Sequence, residues 1–203
     1  MVLEPTRSLP PRTIAILVGL FLVAIAAGIG AGVWLNGSGT SSPTDAAVGG
    51  PFRLTAHDGR TVTEADFKGM PVLLFFGFTH CPDICPTTLA DVSEVLERLG
   101  PDAGKVQALF VSVDPERDTP QVLASYIGAF HPRILGLSGD AAATAAIVRA
   151  YRVYARKVPL KDGGYTMDHT AVVYLLDKEG RFVAPFDLKR PADAAAAELR
   201  RYL

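Results

Sequence analysis

Apolar and polar positions divide the chain into three stretches of different character. From Thr13 to Leu35 runs TIAILVGLFLVAIAAGIGAGVWL, without a charged residue. At about 1.5 Å of rise per residue this is long enough to cross a hydrocarbon core of roughly 30 Å. Asn36 to Gly50, NGSGTSSPTDAAVGG, has no apolar periodicity and reads as a flexible linker. From Pro51 onward short apolar runs alternate with helical periodicities.

In that last stretch Phe52–Thr55 and Thr61–Thr63 flank His57-Asp58-Gly59, which predicts a hairpin. Pro71–Phe78 is a continuous apolar run, as expected of a central strand buried on both faces. Leu89, Val92, Val95, Leu96 and Leu99 recur at helical spacing over Pro86–Leu99, which Gly100-Pro101 ends. Val106–Val113 is a second apolar run. Thr119-Pro120 places a cap and a first-turn proline before a helix reaching about Phe130. Ile134–Leu137 predicts a short strand, and Asp140 caps a helix from Ala141 to about Tyr151. Thr170–Leu176 and Arg181–Phe186 predict a late hairpin, and Ala192–Leu203 a closing helix. Strands joined through helices and finished by an antiparallel hairpin and helix predict an α/β, thioredoxin-like sandwich with a mixed sheet, preceded by one N-terminal transmembrane helix.

Charge refines the membrane reading. Arg7 and Arg12 precede the apolar run, and no Lys or Arg follows until Arg53. By the positive-inside rule residues 1–12 form a short cytoplasmic tail, 13–35 a single-pass anchor in the cytoplasmic membrane, 36–50 the linker and 51–203 an extracytoplasmic domain. The uninterrupted length favours this over a signal peptide cleaved near Ala24, Ala26 and Ala27, which would leave the domain on the same side. The 203 residues carry a formal net charge of -1 and no basic run with interleaved aromatics, so nucleic acid is not an expected partner. Two cysteines, Cys81 and Cys85, are too few for a disulfide-stapled scaffold.

Those cysteines carry the candidate chemistry. In FFGFTHCPDICP, Phe75–Pro86, a buried strand ends, a short loop follows and a helix starts at the cysteines. A helix start presents free N–H groups and a positive dipole end, which lower a thiol's pKa. The C-x-x-x-C spacing puts the sulfurs about one helical turn apart. Two thiolates need a third donor, and His57, His80, His131 and His169 are the imidazoles available. His169, in Thr166-Met167-Asp168-His169-Thr170 before the apolar AVVYLL, is the best placed. In a thioredoxin-like sheet the loop before this strand faces the active-site helix. His80 adjoins Cys81 and is expected to point away, as an outer or docking residue; His57 and His131 read as structural or merely exposed.

Phe78–Thr87 (FTHCPDICPT), Val111–Pro120 (VSVDPERDTP) and Asp168-His169-Thr170 resemble the three signature segments of the Sco/SenC family, in the same order and without departure at these positions. The resemblance implies a thioredoxin-fold copper protein serving cytochrome c oxidase assembly. It implies Cys81, Cys85 and His169 as metal ligands and Asp114 as a weak fourth ligand or an orienting neighbour. The donor chemistry agrees: two soft thiolates and one imidazole suit Cu(I), and Cu(II) tolerates the same set with an added oxygen. Zinc is the competing metal. The implied partners are the copper-accepting subunit of a terminal oxidase and an upstream periplasmic copper chaperone.

The expected role is therefore a metallochaperone rather than a turnover enzyme. A thiol–disulfide oxidoreductase that uses a Cys81–Cys85 disulfide to reduce the copper acceptor is the alternative. A thiol peroxidase fits poorly, since the expected Thr-x-x-Cys with an upstream proline is absent.

Overall fold

The computed structural model describes residues 48–203, together with Phe21. The expected tail, the anchor apart from Phe21, and the linker up to residue 47 lie outside the described residues. Among the described residues no helix is long and apolar enough to cross a membrane.

The domain starts with the hairpin of β1 (Arg53–Ala56) and β2 (Thr61–Thr63), paired Leu54 to Val62. Its turn passes through Gly59 at φ +88, a conformation glycine adopts without strain. The apolar run becomes β3 (Val72–Gly77), buried along its whole length. Helix α1 (Ile84–Leu99) buries Cys85, Leu89, Val92, Val95, Leu96 and Leu99, one face of a 3.6-residue repeat. It begins two residues before the expected Pro86. A proline is accommodated there because first-turn N–H groups have no partner within the helix. That earlier start places Cys85 inside the first turn.

Strand β4 (Gln107–Ser112) follows, then α2 (Pro120–Ile127), where the Thr119 side chain accepts from the Val122 N–H as a cap. Beyond Ile127 the chain continues in tighter turns, with Ala129 and Phe130 N–H bonding three residues back, so the α-helix ends short of Phe130. Strand β5 (Ile134–Ser138) leads to α3 (Ala141–Ala150), whose cap, Asp140, accepts from Ala143 N–H at 2.7 Å.

The next elements were not expected. Between α3 and the late strands stands a separate hairpin of β6 (Ala155–Pro159) and β7 (Tyr165–His169), with Ala155 opposite His169. Its strands are ARKVP and YTMDH, mostly half-buried or exposed, so they lack the apolar alternation that marks a strand. The available signal was the turn, Gly163-Gly164, both at positive φ. The hairpin expected to follow is β8 (Val173–Leu176) with β9 (Phe182–Pro185), and α4 (Ala192–Leu199) closes the domain against α1.

The main sheet has the order β2-β1-β5-β4-β3-β8-β9. Strands β3, β4 and β5 are parallel, and β8 runs antiparallel to β3. Phe110 of β4 packs on Tyr126 of α2, whereas Phe76 packs on Tyr151 at the end of α3, so helices cover both faces. This is the expected thioredoxin-like α/β sandwich with a mixed sheet. Parallel central strands all end at one edge, and β3 hands the chain to α1 there.

Gly77, the last residue of β3, marks that junction. A Cβ there would lie 2.6 Å from Phe110 Cε2 and 2.9 Å from Cys85 Sγ. Gly77→Ala is expected to cost about 1–3 kcal/mol of stability by overpacking, measured by urea denaturation of wild type and variant.

Candidate metal centre

Phe78, Thr79 and His80 link β3 to the cysteines, and the Cys81 N–H closes this turn on the Phe78 carbonyl at 3.2 Å. The Cys85 N–H, free of helical partners, donates to Cys81 Sγ at 3.4 Å. Spacing of one helical turn thus sets both sulfurs on the inner side of the helix start, and both thiols are free and buried. His169 arrives from the β6–β7 hairpin as the last residue of β7, rather than from a loop. Its Nε2 lies 3.6 Å from Cys85 Sγ. The donor atoms of Cys81, Cys85 and His169 all lie within 4.8 Å of one another. At metal–donor lengths of about 2.0–2.3 Å, ligands around one ion stand about 3.5–4 Å apart, so small side-chain adjustments close this set on a metal.

The imidazole is oriented for that task. Its Nδ1 lies 3.1 Å from the Thr170 carbonyl, which only accepts, so Nδ1 donates there and Nε2 is the ring nitrogen that faces the thiols. Phe75 and Phe78 meet the ring edge-on, at centroid distances of 6.4 and 5.6 Å. Apolar walls fix the ring and keep water from the donors.

Cys85 departs from the expectation that a helix start lowers the thiol pKa. Burial, the largest influence, pushes this thiol well up, and neighbouring Cys81 adds to the rise. In the metal-free centre Cys85 therefore keeps its proton and can donate it toward Nε2. A metal that takes this site displaces that proton.

Asp114 is not among the donors within reach of one ion. It is 0% exposed; one carboxylate oxygen accepts from the Tyr165 hydroxyl at 2.8 Å and the other from Arg117 Nε at 2.5 Å. Its oxygens are already engaged, so in this arrangement it stands beside the centre rather than in it. His80 faces outward, bonded through Nδ1 to Thr79 Oγ1. His57 Nδ1 accepts from Gly136 N–H and His131 Nδ1 from Arg133 N–H, so both serve the backbone.

Sequence reasoning assigned no role to Asp118, although it lies in a quoted motif. It is also 0% exposed, and accepts from Thr79 N–H at 3.0 Å, Thr79 Oγ1 at 2.7 Å and Ser112 Oγ at 2.6 Å. These bonds tie the loop before Cys81 to the end of β4. The available signal was an Asp two residues before a helix-opening proline, a pattern with many ordinary turn meanings. Asp118→Ala strands three donors and is expected to lower stability by about 3 kcal/mol, measured by urea denaturation.

Comparison with known proteins agrees with this geometry. The SCO1/SenC family profile matches residues 40–203. The mitochondrial SCO2 homolog of Bos taurus is 45% identical over 168 residues, 81% of this chain and 63% of that protein. The mitochondrial SCO1 homolog 1 of Arabidopsis thaliana is 41% identical over 162 residues, 77% of this chain and 48% of that protein. The chain thus spans about half to two thirds of the length of these relatives. Among solved structures, copper-bound ScoI of Bradyrhizobium japonicum superposes with a TM-score of 0.76 at 59% identity, covering 77% of this chain and 100% of that one. A profile match over most of the chain, and relatives that share both sequence and fold, place this chain in the SCO1/SenC family.

Proposed function

We propose that this chain is a membrane-anchored, extracytoplasmic copper chaperone. It holds copper through Cys81, Cys85 and His169 and delivers it to the dinuclear copper centre of cytochrome c oxidase. The observation that carries the reading is the convergence of two thiols and one imidazole nitrogen within 4.8 Å, at the edge of the sheet. Copper-bound relatives support the metal, among them ScoI and Sco1 of yeast. Three soft or borderline donors satisfy Cu(I) without a fourth, and an open face lets an acceptor's ligands enter before all of this chain's ligands leave. Stepwise exchange of that kind avoids releasing a free ion. Oxidation of Cys81 and Cys85 to a disulfide would remove two donors at once, so loading requires the reduced pair.

Residues 1–12 form the cytoplasmic tail, 13–35 the anchor, 36–50 the spacer and 51–203 the copper-binding domain. A tether of this length keeps the domain near membrane-bound acceptors and raises their effective concentration.

Three experiments test these points. Titration of the reduced full-length chain with Cu(I), against a chromophoric competitor, is expected to show one tightly held equivalent. X-ray absorption is expected to find two sulfurs and one nitrogen, with the nitrogen lost in His169→Ala. Absence of a stoichiometric complex, or tighter binding of zinc with four protein donors, overturns the copper reading. For the anchor, the full-length chain is expected to stay with membranes after a carbonate wash and to appear in the soluble fraction once residues 1–35 are removed.

A further inference from the structure

We propose that Tyr165, held by Asp114 and Arg117, is a positioning residue that keeps His169 against the two thiols. The inference rests on the copper-site reading above and adds to it the device that presents the third donor.

His169 ends a hairpin that stands outside the main sheet. Among the described residues, hydrogen bonds and ion pairs from the hairpin segment 154–170 to the rest of the domain reach only two places. One is Cys85, through His169 itself. The other is the short segment Asp114–Arg117. There the Tyr165 hydroxyl donates to Asp114, Arg117 Nη1 donates to the Tyr165 carbonyl at 3.0 Å, and Lys157 pairs with Glu116. Apolar attachment is slight, since Ala155 and Met167 are only partly buried against the core.

Strand geometry connects the two places. Side chains alternate along a strand, so Tyr165, Met167 and His169 share the face of β7 that meets the domain. Fixing Tyr165 at one end of that face therefore fixes where His169 falls at the other. Arg117 adds a second hold from outside the hairpin, its guanidinium lying 3.9 Å from the Tyr165 ring centroid, while Lys157 of the hairpin's own β6 covers the same ring at 4.4 Å. Arg117 also reaches Phe78, 5.9 Å from its ring centroid, and Phe78 meets the His169 ring at right angles. The same guanidinium thus supports both ends of the strand.

Asp114 gives the arrangement its strength. A fully buried carboxylate needs donors, and Tyr165 and Arg117 are those donors. Releasing the hairpin would leave that charge short of a partner. Loss of the Tyr165 hydroxyl should loosen β7 without removing any metal donor.

The experiment compares full-length wild type, Tyr165→Phe, His169→Ala and the double variant, each reduced. Asp114→Asn serves as a second probe of the same contact. In the metal-free chains, Tyr165→Phe is expected to speed amide exchange at Met167–His169, read by mass spectrometry, while β3 and α1 keep wild-type protection. With Cu(I), the variant is expected to bind about tenfold more weakly and to show a reduced nitrogen contribution by X-ray absorption. In the His169→Ala background the same change is expected to have no further effect on Cu(I) affinity. Wild-type exchange at residues 167–169 in Tyr165→Phe overturns the proposal, as does equal weakening with and without His169. Failure of the wild type to form the two-sulfur, one-nitrogen complex instead removes the copper reading, and the metal-free exchange then decides the latch alone.

Discussion

Two carboxylates with no exposure at all, Asp114 and Asp118, lie four residues apart at the edge of the sheet, and burying them dictates much of what surrounds the metal centre. An ionised carboxylate taken from water without donors costs far more than a fold of this size can tolerate. Each must therefore be met by N–H or O–H groups. Asp118 takes its donors from Thr79 and Ser112, and so binds the loop that leads to Cys81. Asp114 takes its donors from Arg117 and Tyr165, and so binds the hairpin that carries His169. One short segment thereby holds the approaches to the thiols and to the imidazole, which belong to parts of the chain far apart in sequence.

This division explains what could and could not be read from the sequence. The strand β3, the helix α1 and the caps at Thr119 and Asp140 were legible because each depends on local physics: a continuous apolar run, a 3.6-residue repeat, an oxygen placed to accept a first-turn N–H. The convergence of Cys81, Cys85 and His169 was legible through motif and fold position. The β6–β7 hairpin was not, because its strands are held by contacts with distant residues and by their own ladder rather than by an apolar face. Tyr165 gave no signal for the same reason, since a lone tyrosine among polar residues has no pattern. Asp114 was found, but sequence could not show that its oxygens are already engaged.

The thiol chemistry shows a competition of the same kind. A helix start favours thiolate, and the Cys85 N–H does reach Cys81 Sγ. Burial opposes it, and at Cys85 burial wins, because the sulfur is packed at the end of β3 with no room even for a Cβ on Gly77. A deeply buried thiol that holds its proton is a poor nucleophile, since thiolate is the attacking species in disulfide exchange. Packing at this position therefore suits a ligand better than an attacking sulfur, and it weighs against rapid thiol exchange through Cys85.

The Thr170 carbonyl takes the Nδ1 hydrogen bond and so turns Nε2 toward Cys85, whose thiol is pushed by burial toward its protonated form. Holding a metal through both sulfurs and Nε2 would require both cysteines as thiolates, so loading would release their thiol protons. The phenyl walls, the Asp118 loop and the strand bearing His169 hold the three donors within 4.8 Å of one another. Folding has met much of the cost of ordering the three donors, through the bonds of these two buried carboxylates. What loading would add is the exchange of thiol protons for a metal, so that metal affinity should weaken as the pH falls.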